Sequence, residues 1–161
     1  MTPRTESTLP RARAILRRYS LLSLGAGLVP VPVVDLAALG GLQLAMIREL
    51  ARLYGIRFYK HRSRYLISAL LGGSGAVLLA RGLGLYTVLG PGAWVLLKLG
   101  GVAALGGAST YALGKTFIQH FETGGSFLDF DPERMRDYYQ AQLRQAPAGS
   151  VQPASFAGIR P

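Results

Sequence analysis

The sequence predicts an all-α protein of membrane-associated helical hairpins: a proline-turned hairpin, a glycine-rich transmembrane hairpin and a short soluble helix toward the C-terminus. Three observations carry this prediction. Long apolar runs are broken only at Pro30-Val31-Pro32 and at Leu89-Gly90-Pro91-Gly92. Positive charge brackets the first run on both sides. Asp131-Pro132-Glu133 supplies a cap, a proline at the first helical position and a first-turn acid, in the order a helix start requires.

Composition sets the outer limits. Of 161 residues, 50% are hydrophobic and only 16% charged, against roughly 25% charged in an ordinary soluble domain. That apolar mass excludes a wholly disordered chain. The absence of cysteine excludes a disulfide scaffold, a thiolate metal site and a cysteine nucleophile. The net charge of +10 is unevenly placed. Residues 1–65 hold eleven Lys/Arg against Glu6, Asp35 and Glu49, residues 66–114 hold only Arg81 and Lys98, and the remainder is balanced.

Residues 1–17 read as a basic arm, helical from about Arg11 after Pro10; 18–145 as a helical membrane-associated domain; and 146–161 as a disordered tail rich in Pro, Gly, Ser and Ala. Prolines remove backbone donors and restrict the preceding residue, so the first apolar run divides into helices over 18–29 and 33–54. Neither basic flank can be placed across a membrane from the other without violating the positive-inside tendency. A hairpin turning at Pro30–Pro32, embedded or interfacial, keeps both on the cytoplasmic side. Asp35 reads as a cap just after Pro32.

The second apolar run divides at Gly90-Pro91-Gly92 into helices over 64–88 and 93–122, each long enough to span on the roughly 20-residue criterion. Tyr65, Tyr111, Phe117 and Phe121 then lie toward one interface, and Tyr86 and Trp94 toward the other. Asp35, Gln43, Arg81 and Lys98 are the polar residues of the apolar zone; Arg81 and Lys98 could snorkel toward the turn or line a pore. Ala104, Ala108 and Ala112 repeat every four residues, a small-residue face for close helix packing. The segment from Arg57 to Tyr65 (Arg57, Phe58, Tyr59, Lys60, Arg62, Arg64, Tyr65) interleaves cations with aromatics. A membrane surface or a protein partner explains it better than nucleic acid, because it is short and bounded by apolar segments. Thr123-Gly124-Gly125 ends the long helix, and the last helix runs to about Gln145. Phe127, Phe130, Tyr138 and Tyr139 are expected to face a partner there.

No catalytic or metal constellation emerges, and no cofactor is expected. Ser109 to Thr116 ends in Gly-Lys-Thr, but it lacks the first glycine and a preceding strand, so it reads as continuous helix rather than a phosphate loop. The glycine pairs lack a completed dinucleotide fingerprint. His61 and His120 have no ligand spacing around them.

Leu28 to Asp35, Gln43 to Ile47 and Leu50 to Gly55, together with Tyr111 to Phe117 and His120 to Phe127, resemble the YcjF-like, GTPase-associated bacterial membrane family of unknown function. The likeness covers about residues 20–140. It implies a helical domain at the bacterial inner membrane, with no established activity and no catalytic residues to carry over. A GTPase partner would have to act in trans, since the chain has no GTPase part. Together these readings predict a non-enzymatic membrane module, with both termini cytoplasmic, that contacts anionic headgroups and recruits a cytoplasmic protein, a GTPase by this resemblance. A small homo-oligomeric channel or membrane-remodelling protein is the alternative.

Overall fold

The computed structural model describes residues 5–26, 32–72 and 103–146, which are helical or short connections, with no strand among them. Helix α1 is Thr5–Ala26, α2 is Pro32–Leu53, α3 begins at residue 60 and is described to 72, α4 is Ala103–Glu122 and α5 is Pro132–Gln145. Residues 73–102, with Arg81, Lys98, Tyr86 and Trp94, lie outside the described residues, as do Pro30, Val31 and the tail. Among the described residues no helix is long and apolar enough to cross a membrane.

The start of α1 corrects one expectation. The helix begins at Thr5 and contains Pro10, whereas the proline suggested a start near Arg11. The first four helical N–H groups have no internal partner in any case, so a proline just past them removes only one bond. Ala12 and Leu16, in the stretch expected to form a separate arm, belong to the core. At α2, Pro32 takes the first helical position, where its fixed φ is favourable. Asp35 therefore lies inside the first turn rather than at the cap.

Contacts fix the helix directions. Gln43 Nε2 donates to Ser109 Oγ and Thr110 Oγ1, Met46 lies against Gly114 and the Tyr54 hydroxyl donates to Glu122. Residue numbers rise together, so α2 and α4 are parallel. Thr110 Oγ1 donates to Ser23 Oγ over 2.9 Å and Leu16 lies against Gly114, so α1 runs the other way. Phe130 stacks on Phe117 at 4.7 Å, and Met135, Tyr139 and Leu143 join the same core as α5 docks on α4.

The parallel helices end alike. Gly55 has φ of +70°, with its N–H bonded to Arg52 O and the Ile56 N–H to Ala51 O; Gly124 has φ of +82°, with bonds from Gly124 to Phe121 O and from Gly125 to His120 O. Both are Schellman closures, in which a left-handed glycine lets the chain satisfy carbonyls that the helix leaves open. The sequence reading of α5 holds in detail: Asp131 caps it, accepting from Glu133 and Arg134 N–H groups, with Pro132 first and Glu133 in the opening turn.

Candidate functional site

The bundle has two dissimilar ends. Where α2 and α4 finish, Phe117, Phe121, Phe127 and Phe130 form a buried aromatic cluster, with Phe58 edge-on to Phe127 at 5.8 Å and Tyr54 5.7 Å from Phe121. Such aromatic pairs are worth about 0.5–1.5 kcal/mol each beyond their burial. His120 points its Nε2 at the Ser126 carbonyl, 2.9 Å away, and packs edge-on against Phe130. Asp129 accepts from the Ser126 N–H and hydroxyl, which hold its carboxyl below the usual carboxylate range. Serine, histidine and aspartate thus meet, but the serine hydroxyl bonds the aspartate and not the histidine. The group ties the 123–131 loop and has no nucleophile–base pair.

Arg62 completes this tie. Its guanidinium donates to the carbonyls of Phe127 and Leu128, so the start of α3 is fastened to that loop. Burial, then the bond to Glu122, raises the Tyr54 hydroxyl far above an ordinary phenol.

Around the same end lies an open groove of about 550 Å³, lined by Tyr19 of α1, by Gly41, Leu44, Ala45, Arg48, Glu49 and Arg52 of α2, and by Phe58 and Lys60. The α2 residues follow the spacing of one helical face. Glu49 is engaged: Arg18 pairs with it at 2.5 Å and the Tyr19 hydroxyl donates to it at 3.0 Å. The Tyr19 hydroxyl as a hydrogen-bond partner of Arg18, and then the charge of Glu49, hold the Arg18 pKa above its ordinary value. Arg48, Arg52 and Lys60 are exposed and have no acidic partner among the described residues.

At the other end the helices touch through small and polar groups. Ser23, Gln43, Ser109 and Thr110 form a hydrogen-bonded seam joining α1, α2 and α4. A Cβ at Gly114 would come within 2.4 Å of Leu16 and 3.1 Å of Met46, and one at Gly106 within 3.3 Å of the Ser23 carbonyl.

The predicted site residues separate accordingly. Arg57, Tyr59, Lys60, Arg64 and Tyr65 are exposed, Arg57 lying over the Tyr59 ring at 5.8 Å. Phe58 instead packs on the core, and Arg62 is spent on the loop. Phe127, Phe130 and Tyr139, expected to face a partner, are buried in the chain's own core, because the aromatic rings of α4 and the apolar face of α5 enclose them; Tyr138 is half-buried. Phe117 and Phe121 are likewise core residues rather than an interfacial belt, while Tyr65 is 65% exposed. Gln43 is buried in the seam. Of the alanine face, Ala112 is buried and Ala108 half-buried, and nothing is described of the Ala104 side chain. Gly106, Thr110 and Gly114 meet the neighbouring helices, a four-residue repeat legible in the sequence but displaced two positions from the alanines. Arg48 and Arg52, absent from the sequence-based set, share a face at i, i+4 spacing with Glu49 beside them, and it is the engagement of Glu49 by Arg18 and Tyr19 that leaves them without an acid.

A family described as Domain of unknown function (DUF697) matches residues 5–148. The chain belongs to this family. The chain is also 34% identical over 142 residues to Magnetosome membrane protein 22 of Magnetospirillum gryphiswaldense, covering 85% of this chain and 71% of that protein. No solved structure matches the DUF697 chain.

Proposed function

We propose that this chain is a non-enzymatic, membrane-associated helical module that rests on an anionic membrane surface and holds a cytoplasmic protein partner there. The observation that carries this reading is the placement of charge. Arg11, Arg13, Arg17 and Arg18 of α1 and Arg48 through Arg64 gather along the end where α2 finishes, while α1 from Tyr19 to Ala26, running toward the other end, carries no charge. Exposed Arg57, Tyr59, Arg64 and Tyr65 remain available to a partner or to headgroups, after Arg62 and Phe58 have been used internally. The magnetosome relative is named as a membrane protein, which supports membrane association here. The resemblance to GTPase-associated proteins supports a GTPase as the partner class and the bacterial inner membrane as the location.

Leu66 and Leu70 on one side and Gly106 on the other are committed to the bundle. The apolar sequence left between them is shorter than the roughly 40 residues that two crossings require. Embedding from the cytoplasmic face suits that length better than two full spans, and keeps both termini cytoplasmic. Flotation with anionic vesicles tests the association, and a chain left at the bottom of the gradient would overturn it; carbonate washing of membranes tests the embedding, which full release would overturn. Labelling of Val31→Cys and Pro91→Cys from each side tests the orientation. Recruitment is tested by pull-down from detergent extract. The expected result is a partner lost in Arg57→Glu/Arg64→Glu; a partner set unchanged by that variant would sink the recruiting surface.

A further inference from the structure

The groove on α2 is graded along its length. Toward the start of α2 its wall is Gly41, Leu44 and Ala45; toward the end it is Arg48, Arg52 and Lys60, with Tyr19 and Phe58 as side walls. Arg48 and Arg52 are one turn apart, an arrangement that repels within a bare helix. The one acid in the groove cannot relieve them, because Glu49 is already bonded to Arg18 and Tyr19. Gly41 and Ala45 leave the helix surface low beside the cations. Leu21 and Leu22 on α1 are also exposed.

We infer that this groove binds one anionic glycerophospholipid, its phosphate held by Arg48, Arg52 and Lys60 and an acyl chain lying along Leu44, Ala45 and Gly41. Charge complementarity selects the headgroup, since three cations with no acidic partner among the described residues line one groove and guanidinium groups match phosphate oxygens. The apolar continuation selects a lipid over a free phosphate ester. The inference rests on the membrane-associated reading and makes it specific, replacing a diffuse basic surface by a one-lipid site.

The test uses the full chain in mild detergent, titrated with short-chain phosphatidylglycerol, phosphatidylcholine or inorganic phosphate, with bound lipid counted by native mass spectrometry. Two triple variants remove the same charge: Arg48→Gln/Arg52→Gln/Lys60→Gln in the groove, and Arg134→Gln/Arg136→Gln/Arg144→Gln on α5, outside it. All six side chains are exposed, and an unchanged thermal midpoint verifies folding. The expected result is one phosphatidylglycerol per chain, bound at least tenfold more weakly by the groove variant and within twofold by the other, with little phosphatidylcholine retained. Equal weakening in both variants, or equal retention of both lipids, would overturn the site. Inorganic phosphate displacing phosphatidylglycerol at matched concentration would reassign the groove to a free anion and equally overturn the lipid. Flotation of the unaltered chain with anionic vesicles reports separately on the membrane reading, because the detergent titration does not depend on it.

Discussion

The two ends of the α1–α2–α4 bundle are held by different physics. One is closed by rings: Phe117 touches Phe121, Phe127 and Phe130, and the loop carrying two of these is fastened by Arg62 and His120. The other is closed by small side chains and hydroxyls, with Thr110 at the centre of the seam. Ring packing brings together segments distant in sequence and tolerates no missing volume. A hydroxyl seam adds direction, because each donor must find its acceptor, but contributes less per residue. The contrast teaches that the cations Arg48, Arg52 and Lys60 line their groove toward the ring-packed end, away from the hydroxyl seam.

The strongest way to break the contrast is Phe117→Ala. Phe117 is fully buried, so the loss should be about 3–5 kcal/mol, read by chemical denaturation of the detergent-solubilised chain. Gly125→Ala comes next. A Cβ there would lie 2.3–2.7 Å from ring atoms of His120, so the loop must shift, at a cost of about 1–3 kcal/mol. At the opposite end, Thr110→Val keeps the shape but removes a donor and an acceptor, leaving Ser23 and Gln43 short of partners. The expected loss is about 1–2 kcal/mol, and a loss matching Phe117→Ala would erase the distinction between the ends.

Smaller still is Asp131→Ala, which removes the α5 cap at about 1 kcal/mol; the thermal midpoint would register it. The least effect is the acid dependence of Asp129. Its folded carboxyl titrates below the unfolded value, so its contribution is present above about pH 4 and fades as pH falls through the lowered folded value. Asp129→Asn should flatten that part of the stability profile and leave neutral pH little changed.

The local signals were readable in advance. Asp131-Pro132-Glu133, the glycines after α4 and Pro32 at the head of α2 specify helix ends through short-range chemistry, whereas Pro10 does not, since α1 runs through it. The aromatics were not. Phe127 and Phe130 lie in a polar loop and look available for a partner; only the arrival of Phe117, Phe121 and Phe58 from elsewhere hides them. Arg62 is chemically identical to Arg57 and Arg64, and its different role comes from two carbonyls more than sixty residues away in the chain. The groove followed the same pattern: Arg48 and Arg52 were visible, but the engagement of Glu49 by α1 was not. Likewise, the alanine repeat and the glycine repeat of α4 are equally good packing faces until α1 chooses between them.

The contact between Ser23 and Thr110 spans 87 positions of sequence, and this has a consequence for biosynthesis. At typical elongation rates α1 waits roughly 4–17 s for its mate to emerge. Meanwhile Leu16 and Ala12 remain uncovered by α4, and the uncharged stretch between Arg81 and Lys98 leaves the ribosome before the seam can close. Completion of the bundle therefore waits on α4, and α1 and α2 must persist as a pair until it emerges.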